Sequence, residues 1–266
     1  MAKKRFALSK VSTYLIIALL FIACERVIEQ LDPVAYEYFP MEVGKYKIYQ
    51  VDSTVYDEYN CDVQITSYQV MELTGNTGTD GEGDLYYTVE RHIRADSSQP
   101  WLLQSIWTEK IEDNQLQRVE DNQRIIKMVF PVKESRRWDG IVYIRRDTLV
   151  PIRGGSIDMY KDWDDFVFEN IGETFLDTSR TGPKIYPDAL QVLQVDKTNN
   201  IEKRYSREVY AKNIGLVYKE MWILDTQCRG GNCTGVGNIA TCILTPWKDK
   251  TEKGFILVQS LIEHNY

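Results

Sequence analysis

The sequence predicts an all-β, single-domain protein built as a strongly curved antiparallel sheet or irregular barrel, with a two-layer β-sandwich as the alternative. Short segments in which β-branched and aromatic residues alternate with polar ones recur along the chain, which is typical of half-buried strands. Glycine, asparagine and aspartate turn signals separate these segments, and no long amphipathic helix interrupts them. A sheet of this size must curl, close or split, because long open edges invite aggregation.

The predicted strands follow one another from residue 45 to the end of the chain. The alternating segments 45–56 and 61–73 come first, and a glycine-rich loop over 74–84 precedes the next strand, 85–93. In that strand, Val89 and Arg91 share a face with other apolar residues. The remaining strands are predicted over 101–109, 116–120, 124–130, 140–147, 166–175, 189–196, 203–210, 216–225 and 254–265.

Turn signals and one helix candidate complete the local prediction. The glycine pair 154–155 favours a turn, and the segment 213–215 is expected to connect two strands as a tight hairpin. The helix candidate is 157–166, in which four aspartates and three large aromatic residues disturb the helical pattern. The nearest approach to a linker is 131–139, which lacks the composition of a domain boundary, so we expect one β-rich domain over 38–266.

The first 24 residues have the layout of a bacterial secretory signal that ends in a cysteine. Four basic residues precede an apolar run over 14–23, which is about half the length that a membrane-spanning helix needs. The layout resembles a lipoprotein signal, with an ordinary secretory signal and a retained anchor as alternatives. The resemblance implies that 1–23 is removed, that acyl chains such as palmitate are attached to Cys24, and that 24–37 forms the acylated N-terminus and a tether.

The start of the folded part resembles that of uncharacterised Gram-negative cell-envelope lipoproteins. Residues 38–49 contain Phe-Pro, then a glycine and an aromatic strand, and the segments 210–220 and 254–263 are similar to closing strands of the same group. The resemblance implies a lipid-anchored β-domain in the cell envelope, at the outer membrane. The group has no assigned activity, so the resemblance brings none with it, and we expect no cofactor.

The charge balance excludes several classes of partner. The signal contains four basic and no acidic residues, so the mature chain keeps 39 acidic and 28 basic residues and a net charge of −11. This balance argues against nucleic-acid binding, which relies on basic patches, and against attraction of the folded part to anionic lipid. The expected partners are the membrane, through the lipid on Cys24, and an envelope protein or small ligand.

Four cysteines remain when Cys24 is set aside. In an exported protein Cys61, Cys228, Cys233 and Cys242 are expected to form disulfide bonds, and four cysteines allow three pairings. Cys228 and Cys233 are the easiest to join because two glycines lie between them, which would leave Cys61 for Cys242. A four-thiolate zinc site is the alternative, but Cys61 and Cys242 have no close partner in the sequence, and we expect no metal.

The densest polar cluster of the chain is the acidic and aromatic segment 158–165. Its candidate ligand residues are Asp162, Trp163, Asp164 and Asp165, because carboxylates beside aromatic rings are suited to calcium or to a stacked sugar. The spacing is not that of an EF-hand. A solvated acidic loop is the structural alternative.

Signatures of catalysis are scarce in the sequence. Two histidines are present, and the chain contains neither a Gly-x-Ser-x-Gly nucleophile elbow nor an HExxH zinc helix. We therefore expect a lipid-anchored cell-envelope protein that is a non-enzymatic binding or structural module without catalytic residues. The alternative is an envelope glycan hydrolase that uses paired carboxylates.

Overall fold

The described part of the protein is nearly all β, with 60% of the described residues in strands and 6% in helices. The structure is a computed structural model that describes residues 35–228, 233 and 238–266. A twelve-stranded antiparallel sheet curls into a nearly closed barrel. The predicted all-β single domain with a curved sheet or irregular barrel is therefore confirmed. The predicted signal, Cys24 and most of the tether lie outside the described residues.

Short turns connect most of the strands, and the described helices are brief. None of these helices has the length and apolar character needed to cross a membrane. The helices are a 3-10 turn (Tyr36–Tyr38), α1 (Ile239–Leu244) and α2 (Trp247–Lys250). The strands are β1 (Tyr46–Asp57), β2 (Asp62–Thr79), β3 (Leu85–Arg94), β4 (Leu102–Glu112), β5 (Gln115–Glu120), β6 (Gln123–Val129), β7 (Arg137–Trp138), β8 (Leu149–Ile152), β9 (Gly155–Asp158), β10 (Phe166–Asp177), β11 (Lys184–Thr198), β12 (Glu202–Ala211), β13 (Gly215–Asp225) and β14 (Lys253–His264).

The strand order places the first and last strands next to each other in the middle of the sheet. The order is β6-β5-β4-β3-β2-β1-β14-β13-β12-β11-β10-β7, and β8 and β9 form a separate hairpin. In the β1–β14 pair, Lys47 lies opposite His264 and Tyr56 lies opposite Gly254. We call the end of the barrel at the β1–β2 turn the upper end, and the end at the start of β1 the lower end.

The barrel is nearly closed where β6 faces the segment around β7. The backbone N–H of Ile126 donates to the carbonyl oxygen of Gly140 at 2.8 Å. The indole N–H of Trp138 donates to the carbonyl oxygen of Ile126, also at 2.8 Å, and the Trp138 ring packs 4.5 Å from the ring of Phe168. These contacts cover the two edges of the sheet, where unpaired backbone groups would otherwise invite association.

Alternate strand residues point into the barrel and form its core, as the pleat of a strand requires. Tyr49 on β1 lies opposite Val70 on β2, and both are fully buried. The same inward positions also carry charges, because Glu72 on β2 lies opposite Lys47 on β1 and Arg91 on β3. The interior is therefore a mixture of apolar and charged side chains.

The segment 139–165, which contains the β8–β9 hairpin, covers the upper end of the barrel. Arg153 in the hairpin turn lies 3.3 Å from the carboxylate of Asp57, at the end of β1. The Tyr160 hydroxyl donates to the side chain of Gln123, at the start of β6. We call this segment the cover, since it contacts strand ends on different sides of the barrel.

The predicted strand over 140–147 is wrong, because the structure has consecutive turns there. The Asp139 carboxylate accepts the backbone N–H of Ile141 at 3.1 Å, and the N–H of Ile144 donates to the Ile141 carbonyl oxygen at 2.8 Å. These local bonds replace a strand ladder. Ile141 is fully buried, so the apolar residues that suggested a strand fill the core from a loop.

Two other local predictions are also corrected. The helix candidate 157–166 is absent, since β9 runs to Asp158 and a turn follows in which Asp162 has the left-handed φ of 62°. The glycine-rich region 74–84 is only partly a loop, because β2 continues to Thr79 and pairs with Leu85. Conversely, the turn at Gly154-Gly155 and the hairpin at 213–215 occur as predicted.

Two disulfide bonds form, as expected, and they join Cys61 to Cys233 and Cys228 to Cys242. Their Cα atoms are 4.8 and 5.5 Å apart, which is ordinary for a disulfide. The favoured pairing of Cys228 with Cys233 is therefore wrong. Both β1 and β13 flank β14, so the connection after β13 starts beside the β1–β2 turn, which contains Cys61. Cys242 lies on α1 and bonds to the buried Cys228.

Candidate functional site

A cavity of about 250 Å³ lies inside the barrel. One wall is formed by β2 to β5 and the opposite wall by β12 to β14, and Met159 of the cover lines it as well. Asp121, an exposed residue in the turn after β5, also lines the cavity. The cavity therefore reaches the surface at the upper end, and we call it the barrel cavity.

Two guanidinium groups pack against one tryptophan on the β2–β5 wall. The Cζ atoms of Arg91 and Arg118 each lie 4.9 Å from the centre of the Trp107 ring system. The Trp107 indole N–H donates to the Asp121 carboxylate at 3.2 Å. Cation–π contacts of this kind contribute about 2 kcal/mol when they are desolvated, so they hold both arginines against the wall.

Arg118 is also paired with two buried glutamates. Its Nη2 lies 2.6 Å from Glu72 and its Nε lies 2.7 Å from Glu109. Burial raises the pKa of Glu109. Burial acts in the same direction on Glu72, but the charges of Arg118 and Arg91 outweigh it and lower the Glu72 pKa. Glu72 is therefore ionised at neutral pH and forms an ion pair with Arg118.

A second group of charges joins the two walls of the barrel. Lys127 on β6 lies 2.6 Å from Glu208 on β12 and 3.6 Å from Glu120 on β5. Lys219 lies 3.4 Å from the same oxygen of Glu208, and the Tyr210 hydroxyl donates to its other oxygen. Burial alone would raise the pKa of Glu208, but the two lysines and the hydrogen bonds lower it to about 2.

The β13–β14 part of the cavity wall is mainly apolar. Met221 lies opposite Leu257 in the register of the two strands, and Phe255 lies two residues before Leu257. Lys219 and Gln259 form the next inward pair and add polar groups. The barrel cavity therefore has an apolar part beside a part lined by ion-paired charges.

The structure separates the candidate residues that the sequence grouped in the cover. Asp162, Asp164 and Asp165 line an outer pocket of about 240 Å³ beside β10 and β11. Trp163 does not join them, because its ring is 3% exposed and packs 5.4 Å from the Tyr160 ring in the core. No aromatic ring of that pair is free to stack on a sugar beside the aspartates. Ligand binding by this segment stays a prediction.

A group of carboxylates at the lower end has the spacing of a metal site. One oxygen from each of Glu82, Asp84 and Glu112 lies within 4.8 Å of the others. The ammonium group of Lys110 lies 2.7 Å from Glu112 and 3.6 Å from Asp84. The lysine therefore supplies positive charge to these carboxylates.

The residues of the barrel cavity are not among the candidate site residues that the sequence predicts. A signal was available in the strand 85–93, where Arg91 shares a face with Val89, and in β5, where Arg118 shares a face with Leu116. Charged residues at inward positions of apolar faces are seldom buried without a partner. The pattern within one strand does not show which other strands supply the partners of these charges.

Comparisons with known proteins give one structural likeness. No family model and no curated protein matches the chain. A solved structure from Bacteroides fragilis NCTC 9343, described as an exported protein with a YmcC-like fold, aligns with a TM-score of 0.32 and 13% sequence identity. The alignment covers 86% of this chain and 98% of that chain. This chain is similar to that protein only at this level.

Proposed function

We propose that the protein is a lipid-anchored binding protein of the cell envelope that holds a small molecule in the barrel cavity. The observation that carries the proposal is the cavity of about 250 Å³ with an apolar part and a charged part. Small-molecule sites are typically concave and mostly apolar, with a few polar groups that fix the orientation of the ligand. The inward side chains just fill the interior of a barrel of about eight strands. A barrel of twelve strands is wider, so it has room for a ligand as well.

The arrangement of carboxylates favours binding over glycan hydrolysis. A glycosidase needs one carboxyl group that is protonated near neutral pH and a second that is free to act on the sugar. In the barrel cavity, Glu72 is paired with Arg118, and Glu208 is paired with Lys127 and Lys219. The pKa of each of these glutamates, and that of Glu120, is lowered despite burial, so none of the three is suited to donate a proton. Glu109, whose pKa burial raises, does not line the cavity.

The proposed anchor rests on the signal sequence. Acylation of Cys24 with two or more chains would give stable membrane attachment, because each buried methylene contributes about 0.8 kcal/mol. The net charge of −11 in the mature chain makes attachment by charge alone unsuitable. We propose the outer membrane as the location.

The anchor is tested by Cys24→Ser and by globomycin, which blocks removal of a lipoprotein signal. We expect the precursor to accumulate with globomycin and the Cys24→Ser protein to lack incorporated palmitate. Ser12→Ala, in the same signal, is the control and should be processed normally. A Cys24→Ser protein of unchanged size that still sediments with membranes would contradict the proposal.

The binding function is tested by filling the cavity. Leu257→Trp adds bulk on the cavity wall, whereas Ile106→Trp adds the same side chain at a position that is 58% exposed. In a ligand-observed NMR screen with fragments of roughly ten non-hydrogen atoms, we expect hits for the wild type and for Ile106→Trp that disappear in Leu257→Trp. Circular dichroism checks that both variants are folded. An absence of hits, or hits that Leu257→Trp retains, would contradict the proposal.

A further inference from the structure

We infer that the ligand of the barrel cavity is a small organic anion with an apolar body, and that Arg91 binds its anionic group. This inference rests on the proposed binding function and specifies the ligand class. It is derived from the way in which the charges of the cavity are already paired.

Arg91 differs from the other cations that line the barrel cavity. Arg118 and Lys219 both form ion pairs with buried carboxylates. Arg91 forms no ion pair with any residue that the structure describes: its Nη1 donates to the amide oxygen of Gln104, and its buried Nε has no hydrogen-bond partner. Its guanidinium is held against Trp107. It is thus a fixed cation with unused hydrogen-bonding capacity.

The charge of Arg91 lowers the pKa of the carboxylate nearest in register, but the two groups do not form an ion pair. Glu72 lies opposite Arg91 in the β2–β3 pair, but the Glu72 carboxylate is directed to Arg118 at 2.6 Å. An incoming anion would therefore find donors at Arg91 that no carboxylate occupies. A charged donor makes a stronger hydrogen bond to an anion than to a neutral acceptor.

The same pairing disfavours a cationic ligand. The buried carboxylates of the cavity already have cations at contact distance, as in the pairs of Glu208 with Lys127 at 2.6 Å and with Lys219 at 3.4 Å. To pair with Glu208, an ammonium group would have to displace one of these lysines. A charge left buried without a partner is costly, so such an exchange is unfavourable. Asp121, which also lines the cavity, is exposed at its mouth and accepts the Trp107 N–H.

The apolar wall and the volume define the body of the ligand. Met159, Met221, Phe255 and Leu257 line the cavity and offer no strong hydrogen-bonding groups. These side chains suit an aliphatic or small aromatic body better than the many hydroxyls of a sugar. A volume of about 250 Å³ equals the share of about eight water molecules in the liquid, which is enough for a short-chain carboxylate.

The test uses hexanoate as the probe, with hexan-1-ol and hexylamine as neutral and cationic counterparts. Isothermal titration calorimetry measures each of them against the wild type, Arg91→Gln, Arg91→Lys and Arg145→Gln. Arg145 is the matched control because its side chain is 84% exposed. We expect hexanoate to bind most tightly to the wild type and to Arg145→Gln. We expect Arg91→Gln to weaken it roughly tenfold or more and Arg91→Lys to restore part of the affinity.

The outcomes separate the ligand class from the proposed function. The anion inference is overturned, and the binding function stands, if hexan-1-ol or hexylamine binds as tightly as hexanoate. The same holds if Arg91→Gln leaves the hexanoate affinity unchanged while Leu257→Trp abolishes it. If none of the three probes binds and the fragment screen also gives no hits sensitive to Leu257→Trp, both are overturned. Thermal unfolding of each arginine variant shows whether the barrel remains folded.

Discussion

Glu208 is the carboxylate that holds two lysines in the barrel interior. It is fully buried and contacts Lys127, Lys219 and the Tyr210 hydroxyl. Breaking a buried ion pair by removing one partner is more damaging than losing an exposed pair, because the remaining charge stays in a medium of low dielectric constant. The stability of the barrel should therefore depend on Glu208.

Glu208→Gln should lower the free energy of unfolding by about 3 kcal/mol at neutral pH, because it leaves Lys127 without its closest carboxylate. Glu173→Gln is the control, since Glu173 is exposed, and should change stability by less than about 0.5 kcal/mol. Urea unfolding followed by tryptophan fluorescence measures both. Equal stability of the two variants would contradict a structural role for the ion pairs.

The stability of the protein should also depend on pH through the ionisation of Glu208. The Glu208 pKa falls from 4.5 to about 2 in the folded protein, so its contribution is fully present above 4.5 and is lost as the pH falls toward 2. We expect the wild-type melting temperature to drop across this window and the Glu208→Gln melting temperature to drop less steeply. Parallel curves for the two proteins, measured by differential scanning calorimetry, would contradict this assignment.

At the scale of elements, the strand pattern was largely predictable and the exceptions have physical causes. Alternation predicted β1 because Tyr49 and Val51 lie on the inner face, with polar residues between and beyond them. Alternation failed at Ile141, because an apolar residue fills the core equally well from a loop. It also gave no warning of α1, whose N-terminus is fixed by the Asn238 side chain accepting the Thr241 N–H at 2.9 Å.

Gly254 allows β14 to pass between its two neighbours. It has a φ of +123°, and a Cβ at this position would collide with the carbonyl oxygen of Ile223 on β13. Gly254→Ala should therefore destabilise the protein by roughly 3 kcal/mol. Chemical unfolding of Gly254→Ala beside Gly81→Ala measures the effect.

Gly81 is a suitable control for this substitution. An added Cβ at Gly81 meets no other atom within 4 Å, and Gly81 does not have a left-handed φ. We expect Gly81→Ala to stay within about 0.5 kcal/mol of the wild type. If Gly254→Ala were equally well tolerated, β14 could not approach β13 as closely as the structure has it.

At the scale of the whole molecule, the pairing of strands determines the disulfide pairing and the cavity, which could not be predicted from the sequence. The adjacency of β1 and β14 joins the first and last strands of the sheet, and no local pattern encodes such a long-range contact. This adjacency brings Cys61 near Cys233, which the spacing of cysteines did not indicate. It also creates the barrel cavity, since Arg91 and Leu257 reach a common space only after the sheet has curled.

The disulfide pairing tests this topology directly. Digestion of the non-reduced protein with trypsin and thermolysin should separate all four cysteines, and mass spectrometry identifies the linked peptides. We expect links between Cys61 and Cys233 and between Cys228 and Cys242, both lost after reduction. A link between Cys228 and Cys233 would mean that the connection after β13 does not reach the β1–β2 turn.

A crystal structure of residues 25–266 grown with hexanoate would show whether the barrel encloses a cavity that binds a small molecule. We expect density for hexanoate inside the barrel, with the carboxylate within hydrogen-bonding distance of Arg91 and the alkyl chain against Leu257 and Phe255. A barrel interior filled by side chains, or hexanoate bound only on the outer surface, would contradict the proposed binding function.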